Sequence, residues 1–126
     1  MKTINLNGMM PEMQFSFEGR EYTLRCNLCV YEAVSNQCGG DLMTLYDEQK
    51  PFDGVLTWLA AMLNDYAEEQ NWPDFIPYTA KQLSKKFSPR DRGILGNVMN
   101  LVTESLTGKN LDEIPSPADQ ATESAD

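Results

Sequence analysis

The sequence predicts an α+β fold, mainly α-helical, in which an N-terminal β-hairpin packs on about five helices. Residues 13–26 alternate apolar and polar side chains on both sides of a glycine, as two half-buried strands joined by a tight turn do. Residues 53–70 repeat apolar side chains at helical spacing instead. A chain of 126 residues has room for one modest core. We therefore expect a single domain over residues 1–110, followed by a flexible acidic tail over residues 111–126.

The turn of the hairpin predicts its register. Gly19-Arg20 is a glycine-first pair that suits a two-residue type II′ turn. This turn would place Phe17 opposite Tyr22 and Phe15 opposite Leu24, with all four apolar side chains on one face. Because an isolated hairpin is marginally stable in water, we expect helices to cover this face.

Capping residues mark the ends of the predicted helices. Asn27 suits an N-cap, Gly39-Gly40 suits a left-handed C-terminal cap, and Asp41 and Asp53 suit the N-caps of the next two helices. The sequence from Thr79 matches a capping box. These signals predict helices over about 28–38, 41–48, 53–70, 79–87 and 89–107.

The helix over 53–70 is predicted to lie at the centre of the fold. Leu56, Leu59 and Leu63 form its apolar stripe, and Trp58 and Met62 widen that stripe around much of the helix. A helix that is apolar on several sides needs several neighbours.

The distribution of charge disfavours several classes of partner. The formal net charge is −9. Five acidic residues near the end of the sequence contribute −5 of this, which leaves −4 for the rest of the chain. They are Asp112, Glu113, Asp119, Glu123 and Asp126. Such a chain is not expected to bind nucleic acid through phosphate contacts. The sequence has no run of apolar residues long enough for a membrane span, and MKTINLNGMM lacks the apolar core of a signal peptide. We expect a cytoplasmic protein.

The three cysteines are expected to be structural thiols. Cys26 and Cys29 form a C-x-x-C pair, and Cys38 leaves the count odd, which disfavours a disulfide framework. A zinc site would need further ligands, and the chain has no histidine. A redox or metal module built on Cys26 and Cys29 remains an alternative.

No catalytic motif accompanies these elements. The sequence contains no Gly-rich phosphate loop and no G-x-S-x-G, and it lacks histidine for acid–base or metal chemistry. We therefore expect a binding protein, with neither enzymatic activity nor a cofactor.

Two features could bind a partner. The first is an aromatic surface around the proline-broken loop NWPDFIP, because aromatic residues and methionine are enriched at interfaces. Its members would be Trp58, Met62, Trp72, Phe75 and Ile76. The alternative is that these side chains close the core.

The second feature is a basic cluster that could hold an acidic partner, or the acidic tail of the same chain. It carries half of the positive charge and consists of Lys81, Lys85, Lys86, Arg90 and Arg92. The alternative is an ordinary solvated helix face.

The order of elements resembles that of the small tail assembly chaperones of siphophages and prophages of Gram-positive hosts. The resemblance lies in the hairpin FSFEGREYTLRCNL, the helix CVYEAVSNQCGG that ends in a glycine pair, and the stretch DLMTLYDEQKPFDGVLTWLAAMLNDYAEE. It covers roughly residues 13–107. The cysteines and the NWPDFIP insert depart from the family's pattern.

The resemblance implies a function without catalysis. Such chaperones bind the long tape measure protein in the infected cell, keep it soluble and help to recruit tail tube protein, and they are absent from the mature virion. The resemblance therefore implies two partners, the tape measure protein and the tail tube protein, and a location in the cytoplasm of the bacterial host. A structural tail protein or a head–tail connector or terminator subunit, with a stable homo-oligomer, is the main alternative.

Overall fold

The computed structural model describes residues 10–108 and has the predicted fold class, mainly helical with one N-terminal antiparallel hairpin. The expectations for the N-terminal nine residues and for the acidic tail lie outside the described residues. The elements are β1 (Met13–Phe17), β2 (Arg20–Leu24), α1 (Leu28–Gln37), a 3-10 helix (Leu42–Leu45), α2 (Asp53–Gln70), α3 (Ala80–Ser84), a 3-10 helix (Pro89–Asp91) and α4 (Arg92–Thr107).

Helix α2 lies at the centre of the fold, as the sequence predicts. It contacts α1, α3, α4, β2 and the first 3-10 helix. All ten residues from 54 to 63 are buried, which is almost three helical turns. No side of that stretch therefore faces water.

Most of the predicted caps are present. The side chain of Asn27 accepts a hydrogen bond from the Val30 backbone amide at 2.9 Å, and Thr79 and Gln82 form a capping box. Gly39 has a φ of 65°, in the left-handed conformation expected beyond a helix end. The prediction for Asp53 is wrong, because α2 begins at Asp53 itself and Phe52 is its N-cap.

Three helices differ in extent from their predictions. The segment predicted over 41–48 is only a 3-10 helix, and it is followed by an isolated bridge between Asp47 and Lys50. Helix α3 ends at Ser84, and the segment predicted over 89–107 is a 3-10 turn followed by α4. Most of the stability of a helix in a protein comes from packing of its apolar face. These short segments bury few side chains, so little packing is available to extend them.

The predicted hairpin register is wrong by two residues. Phe15 pairs with Tyr22, and Met13 pairs with Leu24. The turn residues are Glu18 and Gly19, with φ of 50° and 79°, the positive values of a type I′ turn. A shift of two residues leaves every side chain on its predicted face, so Phe15, Tyr22 and Leu24 are still buried.

No helix within residues 10–108 combines the length and apolar character that are needed to cross a membrane.

Candidate functional site

The structure separates the five residues of the predicted aromatic surface. Trp58 and Met62 are each 1% exposed, so their assignment to a partner-binding surface is wrong. The apolar excess of α2 is covered by its neighbours; α1 brings the Tyr31 ring to 6.4 Å from the Trp58 ring. Trp72 and Phe75 are partly buried against the core, and Ile76 is 78% exposed.

Phe75 and Ile76 border a groove at the tip of the hairpin, which we call the hairpin-tip groove. Its volume is about 700 Å³. Three parts of the chain form its walls, namely the hairpin tip (Glu18, Arg20 and Tyr22), the loop over residues 74–78, and α3 with its C-terminal exit (Gln82, Lys85 and Lys86). The groove thus brings the aromatic loop and part of the basic cluster together.

A side chain of α2 fixes the loop. The Asn64 side chain accepts a hydrogen bond from the Tyr78 backbone amide at 2.8 Å and donates one to the Tyr78 carbonyl oxygen at 2.9 Å. Prolines at 73 and 77 remove further backbone donors and restrict the backbone. The loop is therefore irregular but held in place, and it presents Ile76 to solvent.

Arg20 connects the hairpin to the same loop. Its guanidinium carbon lies 4.4 Å from the Trp72 ring centroid, within the range of a cation–π interaction. Its Nη2 atom donates to the Asp74 carboxylate at 2.8 Å. The sequence analysis missed Arg20, because its partners are more than 50 residues away along the chain and no local pattern marks them.

Glu18 makes the second connection, from the turn itself. Its carboxylate accepts hydrogen bonds from the Tyr78 hydroxyl at 2.5 Å and from Lys86 Nζ at 2.8 Å. The hydrogen bond from Lys86, with that from Tyr78, holds the pKa of Glu18 below its ordinary value. These bonds compensate for the left-handed conformation of a non-glycine residue, which explains why Glu18 occupies a turn position that the sequence does not favour.

Aromatic stacking closes the back of this assembly. The Phe17 ring stacks on the Phe87 ring at a centroid distance of 5.4 Å and meets the Tyr78 ring edge-on at 5.5 Å. Trp72 meets both Tyr22 and Tyr66 edge-on. The inner faces of the loop and hairpin rings thus belong to the core.

The five side chains of the predicted basic cluster do not all border the same cavity. All five side chains are exposed. Lys85 and Lys86 line the hairpin-tip groove, whereas Arg92 lines a separate cavity with Phe52 and Met99. Lys81 and Arg90 border neither cavity. Lys86 is bound to Glu18, and within the described part of the chain Lys85 forms no ion pair.

The surroundings of the groove shift the pKa values of two carboxylates and two phenols that line it. The hydrogen bond from Arg20 lowers the pKa of Asp74, and burial raises the pKa of Tyr22 and of Tyr78. The carboxylates are therefore ionised and the phenols protonated near pH 7.

The C-x-x-C pair consists of two free thiols in different surroundings. Cys26 is buried and Cys29 is exposed. Burial raises the pKa of the Cys26 thiol to about 11, so it stays protonated at neutral pH and is a poor nucleophile. Among residues 10–108, no group of three or more cysteine, aspartate or glutamate side chains could hold a metal ion.

Comparisons of the chain with models of known protein families, with curated proteins and with solved structures give no match.

Proposed function

We propose that this chain is a non-enzymatic tail assembly chaperone that binds an apolar helical segment of a tape measure protein. It acts in the cytoplasm of the bacterial host, keeps the tape measure soluble, helps to recruit tail tube protein and is absent from the mature virion. The proposal rests on the resemblance of residues 13–107 to such chaperones and on the geometry of the hairpin-tip groove.

One observation carries the assignment of the binding surface. Ile76 is 78% exposed at the rim of the groove, on a loop that Asn64 and Arg20 hold in place. An exposed aliphatic side chain on a fixed backbone loses little conformational freedom on binding, which favours affinity. Recognition of an amphipathic helix in a groove uses a few such apolar anchors.

The charges around the groove indicate which helices fit best. Lys85 is exposed without an ion pair in the described residues, next to the apolar rim of Phe75 and Ile76. An apolar stripe flanked by acidic residues would match this arrangement, because the stripe would cover the rim and an acidic side chain would reach Lys85. A long helical protein aggregates through such stripes unless they are covered.

The test is co-expression of this protein with the tape measure protein, with the soluble fraction of the tape measure as the measurement. We expect the wild type to raise that fraction and Ile76→Asp to abolish the gain, because hydrophobic anchors at interface centres contribute about 2 kcal/mol or more. The matched control is Met43→Asp, since Met43 is 71% exposed on the first 3-10 helix, away from the groove. It should behave as the wild type does.

Three outcomes separate function from site. A wild type that does not raise tape measure solubility contradicts the chaperone function. If the wild type raises tape measure solubility and Ile76→Asp does so equally well, the function stands but the site lies elsewhere. Arg90→Glu, in the basic cluster but outside the groove, is then the next variant. A stable ring-shaped homo-oligomer found in purified virions would favour a connector or terminator subunit.

A further inference from the structure

A second apolar groove lies where the N-terminal parts of α2 and α4 meet, and we call it the Arg92 groove. It consists of two adjacent cavities of about 230 Å³ and about 210 Å³, which share Phe52 and Leu95 as lining residues. Leu95 is buried, whereas Phe52 is 42% exposed and Tyr46, which lines the first cavity, is 57% exposed. Large apolar side chains that are exposed around one groove indicate an interaction surface.

Close packing fixes one wall of this groove. A Cβ atom at Gly54 would lie only 2.9 Å from the Leu45 carbonyl oxygen. The glycine at this position therefore lets the first 3-10 helix lie directly against the start of α2. Tyr46 follows that 3-10 helix as its C-cap, so the backbone that carries the exposed ring is held in place. A preformed wall of this kind loses little conformational freedom when a partner binds.

The charge at this groove is opposite to that of the chain, whose formal net charge is −9. Within residues 10–108, Arg92 is the one charged residue in the lining of the two cavities, and its exposed side chain forms no ion pair. Arg90 follows Pro89, which lines the second cavity, and its side chain is 88% exposed with only a long contact of 3.8 Å to Asp91. An apolar groove with free arginine at its edge complements an apolar side chain next to a carboxylate.

Gly96 leaves room for a close approach to α4. It lies in the helix interior, where glycine is less favourable than any residue except proline. A Cβ atom built at Gly96 would meet nothing within 4 Å among the described residues, so packing inside that part of the chain does not require a glycine there. Glycine in a lining position allows another backbone to come close.

We propose that the Arg92 groove binds a helical segment of a partner protein in which a large apolar side chain lies one turn from a carboxylate. The apolar side chain covers Phe52 and Leu95, the carboxylate binds Arg92, and the partner helix crosses α4 at Gly96. The lining residues of this groove and of the hairpin-tip groove do not overlap. The proposal is therefore independent of the function proposed above.

The test is a peptide titration of the isotope-labelled full chain, followed by backbone amide chemical shifts. The probe is an acetylated and amidated peptide that repeats leucine at helical spacing, with a glutamate one turn from each leucine. We expect the amides of Gly54 and Gly96 to shift. A control peptide with lysine in place of each glutamate should bind at least about twofold more weakly, as the loss of an exposed ion pair implies. The amide of Gly19, in the hairpin turn, reports on the hairpin-tip groove separately, so each groove can fail without the other.

Two glycines of α4 give a matched pair of variants. Gly96→Ala should weaken binding of the glutamate peptide at least about fivefold, because the added methyl group overpacks the contact with the partner helix. Gly93→Ala is the control, since a Cβ atom there also meets nothing within 4 Å and Gly93 lines neither cavity. Neither variant should lower the melting temperature, because alanine favours a helix. Arg92→Gln should weaken binding at least about twofold and reduce its dependence on salt.

Four results would overturn the proposal. The first is the absence of shifts at Gly54 and Gly96 with the glutamate peptide. The second is equal binding of the lysine peptide, and the third is equal weakening by Gly93→Ala and Gly96→Ala. The fourth is a Gly96 amide that shifts with protein concentration alone while sedimentation shows a dimer, because the groove would then bind a second copy of the chain.

Discussion

Helix α2 and the loop over residues 72–78 have similar apolar content but differ in burial. In α2, every residue from 54 to 63 is buried, because helices and the hairpin pack on all sides. In the loop, the rings pack inward on one side only, and Ile76 is left exposed. The comparison teaches that an excess of apolar residues does not by itself mark a binding surface. The prolines are the better signal of an exposed segment, because a backbone without regular hydrogen bonds stays near solvent.

The largest effect is expected from truncation at the centre of α2. Trp58→Ala should lower the free energy of unfolding by about 3–5 kcal/mol, because it leaves a large cavity in a fully buried position. Denaturant unfolding followed by circular dichroism measures this. Trp58→Phe should cost clearly less, since the indole Nε1 has no hydrogen-bond partner within residues 10–108. A loss below about 1 kcal/mol for Trp58→Ala would contradict the burial of this side chain and would indicate that it lies at the surface.

A smaller effect is expected from the loop. Trp72→Ala should lower the free energy of unfolding by about 2 kcal/mol, because it removes edge-on contacts to Tyr22 and Tyr66 and the cation–π contact of Arg20. Trp72→Phe is the control that keeps part of the ring packing. A loss as large as that of Trp58→Ala would show that Trp72 belongs to the core as fully as α2 does. It would contradict the difference in burial between the loop and α2.

The connection between the hairpin turn and the loop should depend on pH. Because the pKa of Glu18 is lowered in the folded state, its contribution to stability is present above the ordinary pKa of a glutamate and is lost as the pH falls through the lowered value. Wild-type protein should therefore lose more stability between about pH 6 and about pH 3 than Glu18→Gln does. The measurement is the unfolding midpoint of both proteins at each pH. Parallel curves would show that the ion pair with Lys86 contributes nothing measurable, as many exposed pairs do.

The smallest effect is expected at the rim of the groove. Ile76→Ala should change the free energy of unfolding by less than about 0.5 kcal/mol, because the side chain is 78% exposed. Thermal melts of wild type and variant give this difference. A loss above about 1 kcal/mol would mean that Ile76 is part of the packing, and its role as an anchor for a partner would need another test.

The features of the site that depend on neighbouring residues could be predicted from the sequence. Those that depend on contacts between distant parts of the chain could not. The placement of Ile76 on an exposed surface was predicted and follows from local backbone chemistry, whereas the same prediction was wrong for Trp58 and Met62. Arg20 and Glu18 were not assigned to the site, because their partners lie in a distant loop and beyond α3. Their pairing depends on how the hairpin is placed on α2, and no spacing along the chain encodes it.

The fold class, the central position of α2, most of the glycine and side-chain caps, and the buried face of the hairpin could all be predicted from the sequence. These features depend on side-chain periodicity and on backbone preferences within a few residues. The position of the turn at Glu18-Gly19 depends on tertiary contacts instead, since hydrogen bonds from Tyr78 and Lys86 offset the cost of the left-handed Glu18. The burial of Trp58 likewise depends on the tertiary structure, because it is set by which neighbours cover a side chain and not by how apolar that side chain is.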